Sequence, residues 1–288
     1  MVVLGTACGG GGGSSGSGGS ADPSVQVGQI TVGAVRFGQV TEFVVTGSGL
    51  ANRATHTFSG SCTPSPADDR TISDAELRLH CTPDELGIMT LSIYAPGSTD
   101  RVAWRDVLID KPQVKLSVGP VLSPQDITIT LDPGIRGSSQ RVWVNNFLYY
   151  ANSGYYTGKI FHRVNRDILV AGGCYADTLS PGTAAAAPLT PSVPVSLFAT
   201  NDQYSFAMVP QACGPGYTAF ALNLADNSAG KTPDQDQQKY VVIGRYDALD
   251  ATAVSQLSAL PNTWNGFLQS PVPDDRSLAT IRGALQTR

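Results

Sequence analysis

Short apolar runs that alternate with polar residues fill the chain between residues 23 and 112. The runs are Ile30, Val32 and Phe37; Phe43, Val44 and Val45; Leu77 and Leu79; Met89, Leu91 and Ile93; residues 102–104; and residues 107–109. Glycine, proline, asparagine and aspartate separate them, and a period of two between turn residues is typical of strands. The pattern predicts six or seven antiparallel strands of a β-sandwich.

The pattern changes at Pro112, after which a new set of apolar runs begins. Its first members are Val114, Leu116, Ile127, Ile129 and Leu131, and Val142, Val144, Phe147 and Leu148 then recur at helical spacing. Gly154 would end that helix, and residues 251–260 predict a second helix before Pro261. We therefore expect a mainly β chain with a leader at residues 1–22, one domain at 23–112 and another at 113–288.

Length and charge limit the possible functions. The chain has 288 residues, which allows two domains with separate cores. Its formal net charge is only -4 and no basic cluster stands out, so nucleic acid is not expected as a partner, because phosphate binding needs grouped Lys and Arg. No stretch approaches about eighteen consecutive apolar residues, so no helix is expected to span a bilayer.

Residues 4–8 read Leu-Gly-Thr-Ala-Cys and resemble the lipobox of bacterial lipoproteins, although the leucine usually stands three positions before the cysteine rather than four. The resemblance implies that Cys8 is acylated and that the protein faces the periplasm on a membrane of the cell envelope. Gly9 in place of aspartate implies the outer membrane. Residues 9–19, rich in Gly and Ser, would form a flexible tether. The alternative is a Gly-rich leader with an incidental cysteine.

The other four cysteines fall into one pair in each predicted domain, Cys62 with Cys81 and Cys174 with Cys213. Neither pair has the spacing of a metal site, and no metal is expected. Two disulfides would each stabilise the fold by about 3 to 4 kcal/mol in the chain-entropy model. They would persist only in an oxidising compartment. The alternative is four buried thiols in a cytosolic protein.

Four short motifs follow one another between residues 146 and 173. They are Asn146-Phe147, Gly154-Tyr155-Tyr156, Phe161-His162-Arg163-Val164 and Gly172-Gly173. Their order and spacing resemble cyclophilin, a family of peptidyl-prolyl cis-trans isomerases. The resemblance extends from about Val114 to the end of the chain and includes a late strand at residues 278–285. It implies a closed β-barrel with two helices that binds proline-containing segments and needs no cofactor. The first domain resembles bacterial immunoglobulin-like modules, which serve as spacers or in adhesion.

The position of Arg163 in the third motif implies that it is the catalytic residue. Rotation about an X-Pro bond meets a barrier near 20 kcal/mol, and no bond is broken. As the prolyl nitrogen becomes pyramidal it gains a lone pair that a guanidinium can hydrogen-bond. That interaction is absent in the planar ground state, so it lowers the barrier selectively.

The other substrate-binding positions implied by the resemblance carry unusual residues. They are Ile168, Leu169, Ala171, Ala199, Thr200, Ala219, Phe220, Ala221 and Tyr240. A glutamine that holds the arginine in the family is replaced by Ala171, and Tyr240 stands where histidine is common. In one register Ala219 and Ala221 face the site and Phe220 turns to the core. A shift of one residue would instead place Phe220 in the proline pocket.

Two functions remain open from the sequence. The first is a slow isomerase of exported proteins that works through Arg163. The second is a non-catalytic module that keeps the barrel to bind a proline-containing segment or another protein.

Overall fold

The computed structural model describes residues 24–51, 54–134, 138–180, 201–210, 217–227 and 240–288. Strands dominate these residues and two α-helices accompany them, which confirms the predicted mainly β class. Among the helices in these ranges, none has the length and the apolar character needed to cross a membrane.

Eight strands precede Pro112. They are β1 (Gln26–Val32), β2 (Thr41–Ser48), β3 (Thr55–Gly60), β4 (Cys62–Pro64), β5 (Arg70–Ser73), β6 (Glu76–Pro83), β7 (Gly87–Tyr94) and β8 (Arg101–Ile109). One sheet has the order β1-β2-β6-β4, with β5 also paired to β6, and a second sheet has the order β3-β7-β8. Alternate residues of β2, β6 and β7, such as Phe43, Leu79 and Leu91, are buried. The two sheets are compatible with a β-sandwich, and the immunoglobulin-like assignment stays a prediction.

The strand count differs from the prediction in two places. Residues 102–104 and 107–109 were expected as separate runs, but both lie in β8. Strands β3, β4 and β5 were not predicted, because their residues are mostly polar or exposed and show no apolar alternation. Pairing of β3 to β7 and of β4 and β5 to β6 holds these segments in place, and that pairing is not encoded locally.

Cys62 on β4 and Cys81 on β6 form the expected disulfide, with 5.9 Å between their Cα atoms. Cys174 is also disulfide-bonded. Its expected partner, Cys213, and the lipid-bearing candidate Cys8 lie outside the described residues. The pairing of Cys174 with Cys213 and the acylation of Cys8 stay predictions.

The second half of the chain forms a barrel. Its elements are β9 (Gln113–Val118), β10 (Gln125–Leu131), α1 (Ser138–Asn152), β11 (Lys159–Asn165), β12 (Leu169–Ala176), β13 (Ser205–Met208), β14 (Phe220–Asn223), β15 (Val241–Tyr246), α2 (Ala251–Ser258), β16 (Asn262–Asn265), β17 (Ser270–Pro273) and β18 (Ile281–Gln286). The sheet order is β11-β12-β14-β13-β15-β10-β9-β18, and all its pairs are antiparallel. A single bridge between Ile160 and Thr280 nearly closes it. Strands β16 and β17 form a separate hairpin.

The helix α1 supplies the centre of the barrel core. Its Phe147 ring lies 5.4 Å from Tyr156, 4.8 Å from Phe206 and 5.9 Å from Phe220, measured between ring centroids. The two helices appear where apolar spacing predicts them. The late strand begins at Ile281 rather than at residue 278, because Arg276–Ala279 forms a 3-10 helix in which the Ser277 N–H is capped by the Asp275 side chain.

The first set of strands contacts the barrel through a buried glutamine of β18. Gln286 is 1% exposed, and its Nε2 donates to the Phe37 carbonyl oxygen at 3.0 Å. Its Oε1 accepts from Gln39 Nε2 at 3.0 Å and from Asn152 Nδ2 at 2.8 Å. A buried amide with both ends hydrogen-bonded fixes the loop at Phe37 and Gln39 against the last barrel strand.

Candidate active site

An irregularity in β11 decides where Arg163 points. Phe161 pairs with Gly172 of β12, and Arg163 pairs with Ala171. Between these two pairs β11 advances by two residues while β12 advances by one. The extra residue is His162, which forms a β-bulge. In an unbroken strand, residues two apart share a face, and Arg163 would point into the core with Phe161. With the bulge, Phe161 belongs to the core and Arg163 lies on the outer face.

The paired glycines of β12 permit this arrangement. A Cβ at Gly172 would lie 2.8 Å from the Ile160 carbonyl oxygen. Gly173 has φ +95°, and a Cβ there would lie 2.6 Å from the Phe220 ring. Only glycine accepts both the positive φ and the close approach. The Gly-Gly motif is therefore what allows β11 and β14 to pack closely around β12.

An apolar row runs across the barrel from Arg163. Ala171 of β12 pairs with Ala221 of β14, which pairs with Ala207 of β13, and Ala207 pairs with Val242 of β15. These residues join Leu169 and Tyr240 in a cluster that is separate from the barrel core, with Ile168 and Val209 packed against it. All six residues of the cluster are buried, so it is a second small apolar core on the outer side of the sheet, and Ala171, Tyr240 and the adjacent Val209 also line a cavity.

A cavity of about 310 Å³ lies at the Arg163 end of this row. Its walls are His162, Arg163, Ala171, Tyr175, Val209, Ala219, Tyr240, Phe267, Leu268 and Ser270. Four of the predicted site residues are among them: Arg163, Ala171, Ala219 and Tyr240. Within the described lining, Arg163 is the one residue that is charged at every ordinary pH.

His162 is a neutral part of this wall. It is 8% exposed, and its ring meets that of Tyr175 edge-on at 4.8 Å between centroids. Burial lowers the pKa of His162 from 6.5 to about 4, the positive charge of Arg163 lowers it too, and a hydrogen bond to the Ile160 backbone partly opposes the shift. At neutral pH the imidazole therefore adds no charge beside the guanidinium.

The other predicted site residues lie elsewhere. Leu169 and Ala221 are fully buried in the outer cluster, and Ile168 packs against it, so none of the three lines the cavity. Phe220 is in the barrel core, where its ring lies 5.4 Å from Tyr156 and 5.7 Å from Phe161. This is the arrangement of the first register, with Phe220 turned inward. Ala199 and Thr200 lie outside the described residues.

Sequence reasoning missed one wall of the cavity, which comes from the β16–β17 hairpin. Phe267 and Leu268 lie in its turn and Ser270 begins β17. The signal was present, since Asn265-Gly266 between two short strands is a strong hairpin signature. What no local pattern indicates is that this hairpin packs against β11.

Comparisons with known proteins indicate the family of the second half of the chain. The family described as cyclophilin type peptidyl-prolyl cis-trans isomerase/CLD matches residues 126–254. The peptidyl-prolyl cis-trans isomerase cyp18 of Streptomyces antibioticus is 35% identical over 117 residues, which are 38% of this chain and 68% of that protein.

Solved structures of a Cryptosporidium parvum cyclophilin type peptidyl-prolyl cis-trans isomerase are also similar. One of them has a TM-score of 0.40 at 16% identity and covers 62% of this chain and 99% of the other. A second, determined in the presence of the dipeptide ala-pro, has a TM-score of 0.39 at 16% identity and covers 61% and 99%. On the extent and identity of the match to the Streptomyces enzyme, this chain belongs to the cyclophilin-type peptidyl-prolyl cis-trans isomerases.

Proposed function

We propose that this protein slowly isomerises X-Pro bonds of exported polypeptides, with Arg163 as its catalytic residue. The observation that carries the proposal is the position of Arg163 at the junction of a cavity and an apolar row. A cationic donor beside an apolar surface matches what a proline needs. The ring packs against the cavity wall at Ala171 and Val209 while its nitrogen comes within reach of the guanidinium.

The chemistry requires a hydrogen bond that forms only as the amide twists. In the planar amide the prolyl nitrogen shares its electrons with the carbonyl group and accepts no hydrogen bond. At the twisted state the nitrogen holds a lone pair, and a guanidinium N–H can donate to it. No proton is transferred and no bond is broken, so neutral His162 is not needed as an acid or base.

The small side chains of the cavity wall support a slow rate. Ala171 and Ala219 offer only methyl groups to a pyrrolidine ring, so each bound proline buries little apolar area. Weak contact leaves the ring loosely placed, and small misplacements of reacting groups cost large factors in rate. The Cys62–Cys81 disulfide supports exported polypeptides as the substrates, because disulfides persist in oxidising compartments outside the cytosol.

The same small residues favour a second candidate, a non-catalytic module that binds proline-containing segments or another protein. A flat apolar row suits a bound peptide even where the arginine gives no acceleration. The two candidates differ in whether rate depends on Arg163.

The deciding experiment measures isomerisation of an Ala-Pro peptide by NMR exchange, for the wild type and for Arg163→Ala. We expect the catalysed rate to fall by about a hundredfold or to background, the range found when one transition-state donor is removed. Arg163→Lys should retain only part of the catalysed rate, because a lysine ammonium lacks the planar arrangement of N–H donors of a guanidinium. Arg166→Ala, an exposed arginine in the turn after β11, is the matched control and should keep full activity.

Two outcomes would contradict the proposal. If Arg163→Ala keeps the wild-type rate, Arg163 is not the catalytic residue. If the wild type itself stays at background but binds the peptide, the protein is a binding module.

A further inference from the structure

The β16–β17 hairpin occupies the side of Arg163 that the apolar row leaves open. Among the described strands, β11 ends the sheet path and pairs along its length with β12, on the side of the row. Strand β17 packs against β11 as well, and residues of its hairpin line the same cavity as Arg163. Arg163 therefore lies between two surfaces, the row on β12, β14, β13 and β15 and the hairpin at residues 262–273.

The hairpin turn is held in one conformation by its own side chains. Asn265 Oδ1 accepts hydrogen bonds from the Phe267 N–H at 3.0 Å and from the Leu268 N–H at 2.9 Å. At the open end, Thr263 Oγ1 donates to Asp274 Oδ1 at 2.8 Å. Val272, which is 4% exposed, anchors β17 to the barrel. The backbone of the turn at Phe267 is thus held in place by hydrogen bonds within the hairpin.

Phe267 nevertheless leaves most of its ring in solvent. It is 78% exposed although it lines the same cavity as Arg163. Holding a large apolar ring in water has no benefit for folding, since burying it would stabilise by roughly 1.5 to 3 kcal/mol. An exposed aromatic ring on an ordered turn at the mouth of a cavity is typical of a contact that is completed by a ligand.

Ser270 adds a second, independent observation. It is 3% exposed and lines the cavity, yet among the described residues its hydroxyl has no hydrogen-bond partner. A buried hydroxyl left unpaired costs about 1 to 3 kcal/mol, so buried polar groups normally have partners. A peptide backbone lying in the cavity would supply one.

We propose that the hairpin is the second wall of the peptide groove. Phe267 binds an apolar side chain of a residue directly beside the proline, and the Ser270 hydroxyl hydrogen-bonds the peptide backbone. This subsite rests on the proposed function, because the proline itself must lie in the cavity next to Arg163. The protein accordingly selects proline segments whose neighbouring residue is apolar.

The test uses the full chain and peptides in which the residue before or after proline is Phe, Ala or Glu. Binding is followed by calorimetry and isomerisation by NMR exchange. We expect the wild type to prefer Phe over Ala at one of the two positions by about tenfold in affinity and in kcat/KM. Phe267→Ala should remove that preference, so that the Phe and Ala peptides bind and react equally well. Ser270→Ala should weaken all peptides equally.

Trp264→Ala is the matched control, since Trp264 is an exposed aromatic residue of the same hairpin, 61% exposed, that does not line the cavity. It should leave the preference intact. Equal loss in Trp264→Ala and Phe267→Ala would overturn the subsite, because hairpin stability would then explain both. Equal affinity of the wild type for all three peptides would overturn it as well.

Failure of the proposed function would look different. A wild type that isomerises no peptide, yet shows a preference for Phe that disappears in Phe267→Ala, would reject the isomerase and support the subsite. A wild type that isomerises all peptides at equal kcat/KM would support the isomerase and reject the subsite.

Discussion

At the scale of single residues, the outer face of β11 depends on one inserted position. His162 shifts the pairing between Phe161 and Arg163 by one residue, which sends the phenyl ring inward and the guanidinium outward. The same histidine is buried beside a fixed positive charge. His162, which is neutral at ordinary pH, therefore sets the direction of the candidate catalytic arginine without adding a charge beside it.

Burial of His162 makes stability depend on pH. Its pKa is about 4 when folded and 6.5 as the ordinary value, so between these pH values the unfolded chain binds a proton that the folded chain does not. The free energy of unfolding should be highest above pH 6.5 and should fall by up to about 3 kcal/mol as the pH drops toward 4. Urea unfolding of the wild type and His162→Gln across this range measures it.

The variant should show a flatter slope. His56→Gln is the comparison, because burial also lowers the pKa of His56. The change of slope in that variant measures how much of the pH dependence comes from the first set of strands. If His162→Gln retains the wild-type slope, the neutral buried imidazole is not the cause.

Gly173 should tolerate no side chain. A Cβ there would lie 2.6 Å from the Phe220 ring and 2.9 Å from the Thr218 carbonyl oxygen. At Gly158, where φ is +81°, a Cβ would have no atom within 4 Å. An alanine there would therefore meet only the strain of the positive φ and no steric clash. We expect Gly158→Ala to cost about 1 to 2 kcal/mol in unfolding free energy and Gly173→Ala roughly 1 to 3 kcal/mol more. Equal losses in the two variants would contradict the close packing of β12 against Phe220.

At the scale of elements, the four residues of β14 serve two surfaces. Phe220 and Leu222 face the barrel core, and Ala221 faces the outer cluster. The strand alternates as a regular strand should, yet all four positions are buried because both of its faces are covered. A fully buried Ala221 has no open pocket above it that a larger side chain could refill.

Substitutions on β14 should therefore affect stability rather than the proline site. Phe220→Ala removes a ring packed against four others and should cost about 3 to 5 kcal/mol. Ala221→Phe should overpack the outer cluster and cost about 1 to 3 kcal/mol. Denaturant unfolding measures both, with Ala219→Ser on the cavity wall as a mild comparison. A faster isomerisation rate in Ala221→Phe would show that the cluster opens to substrate after all.

At the scale of the whole molecule, two sets of strands share contacts through Gln286, and the leader precedes both. We propose that Cys8 is acylated and that residues 9–19 tether the folded part to the periplasmic side of the outer membrane. The small residues before Cys8 and the Gly-Ser composition after it support this. An anchor would hold the site near polypeptides as they emerge into the envelope.

The anchor is tested by detergent phase partitioning of the chain expressed in a bacterial host with an export signal. Acylated protein should enter the detergent phase, since two or more acyl chains hold a protein stably at a membrane. Cys8→Ser should move it to the aqueous phase, and mass spectrometry should show lipid on Cys8. An aqueous wild type with an unmodified Cys8 would exclude the anchor.

The sequence alone determined the class of the fold and the identity of the candidate arginine. Several features are local properties that can be read directly from the sequence. They are the alternating runs of β2, β6 and β7, the helical spacing around Phe147 and the glycine turns. The motif ending in Arg163 and Val164 was recognisable for the same reason. Its spacing is set by one strand and one turn.

Only the tertiary structure decided what surrounds Arg163. The face on which it lies depends on the register of β11 against β12, the burial of Ala221 depends on both of its neighbouring strands, and the place of Phe267 depends on how a distant hairpin packs on β11. Each is a contact between segments far apart in sequence. Such contacts follow from closure of the barrel and packing of its core, which no single segment encodes.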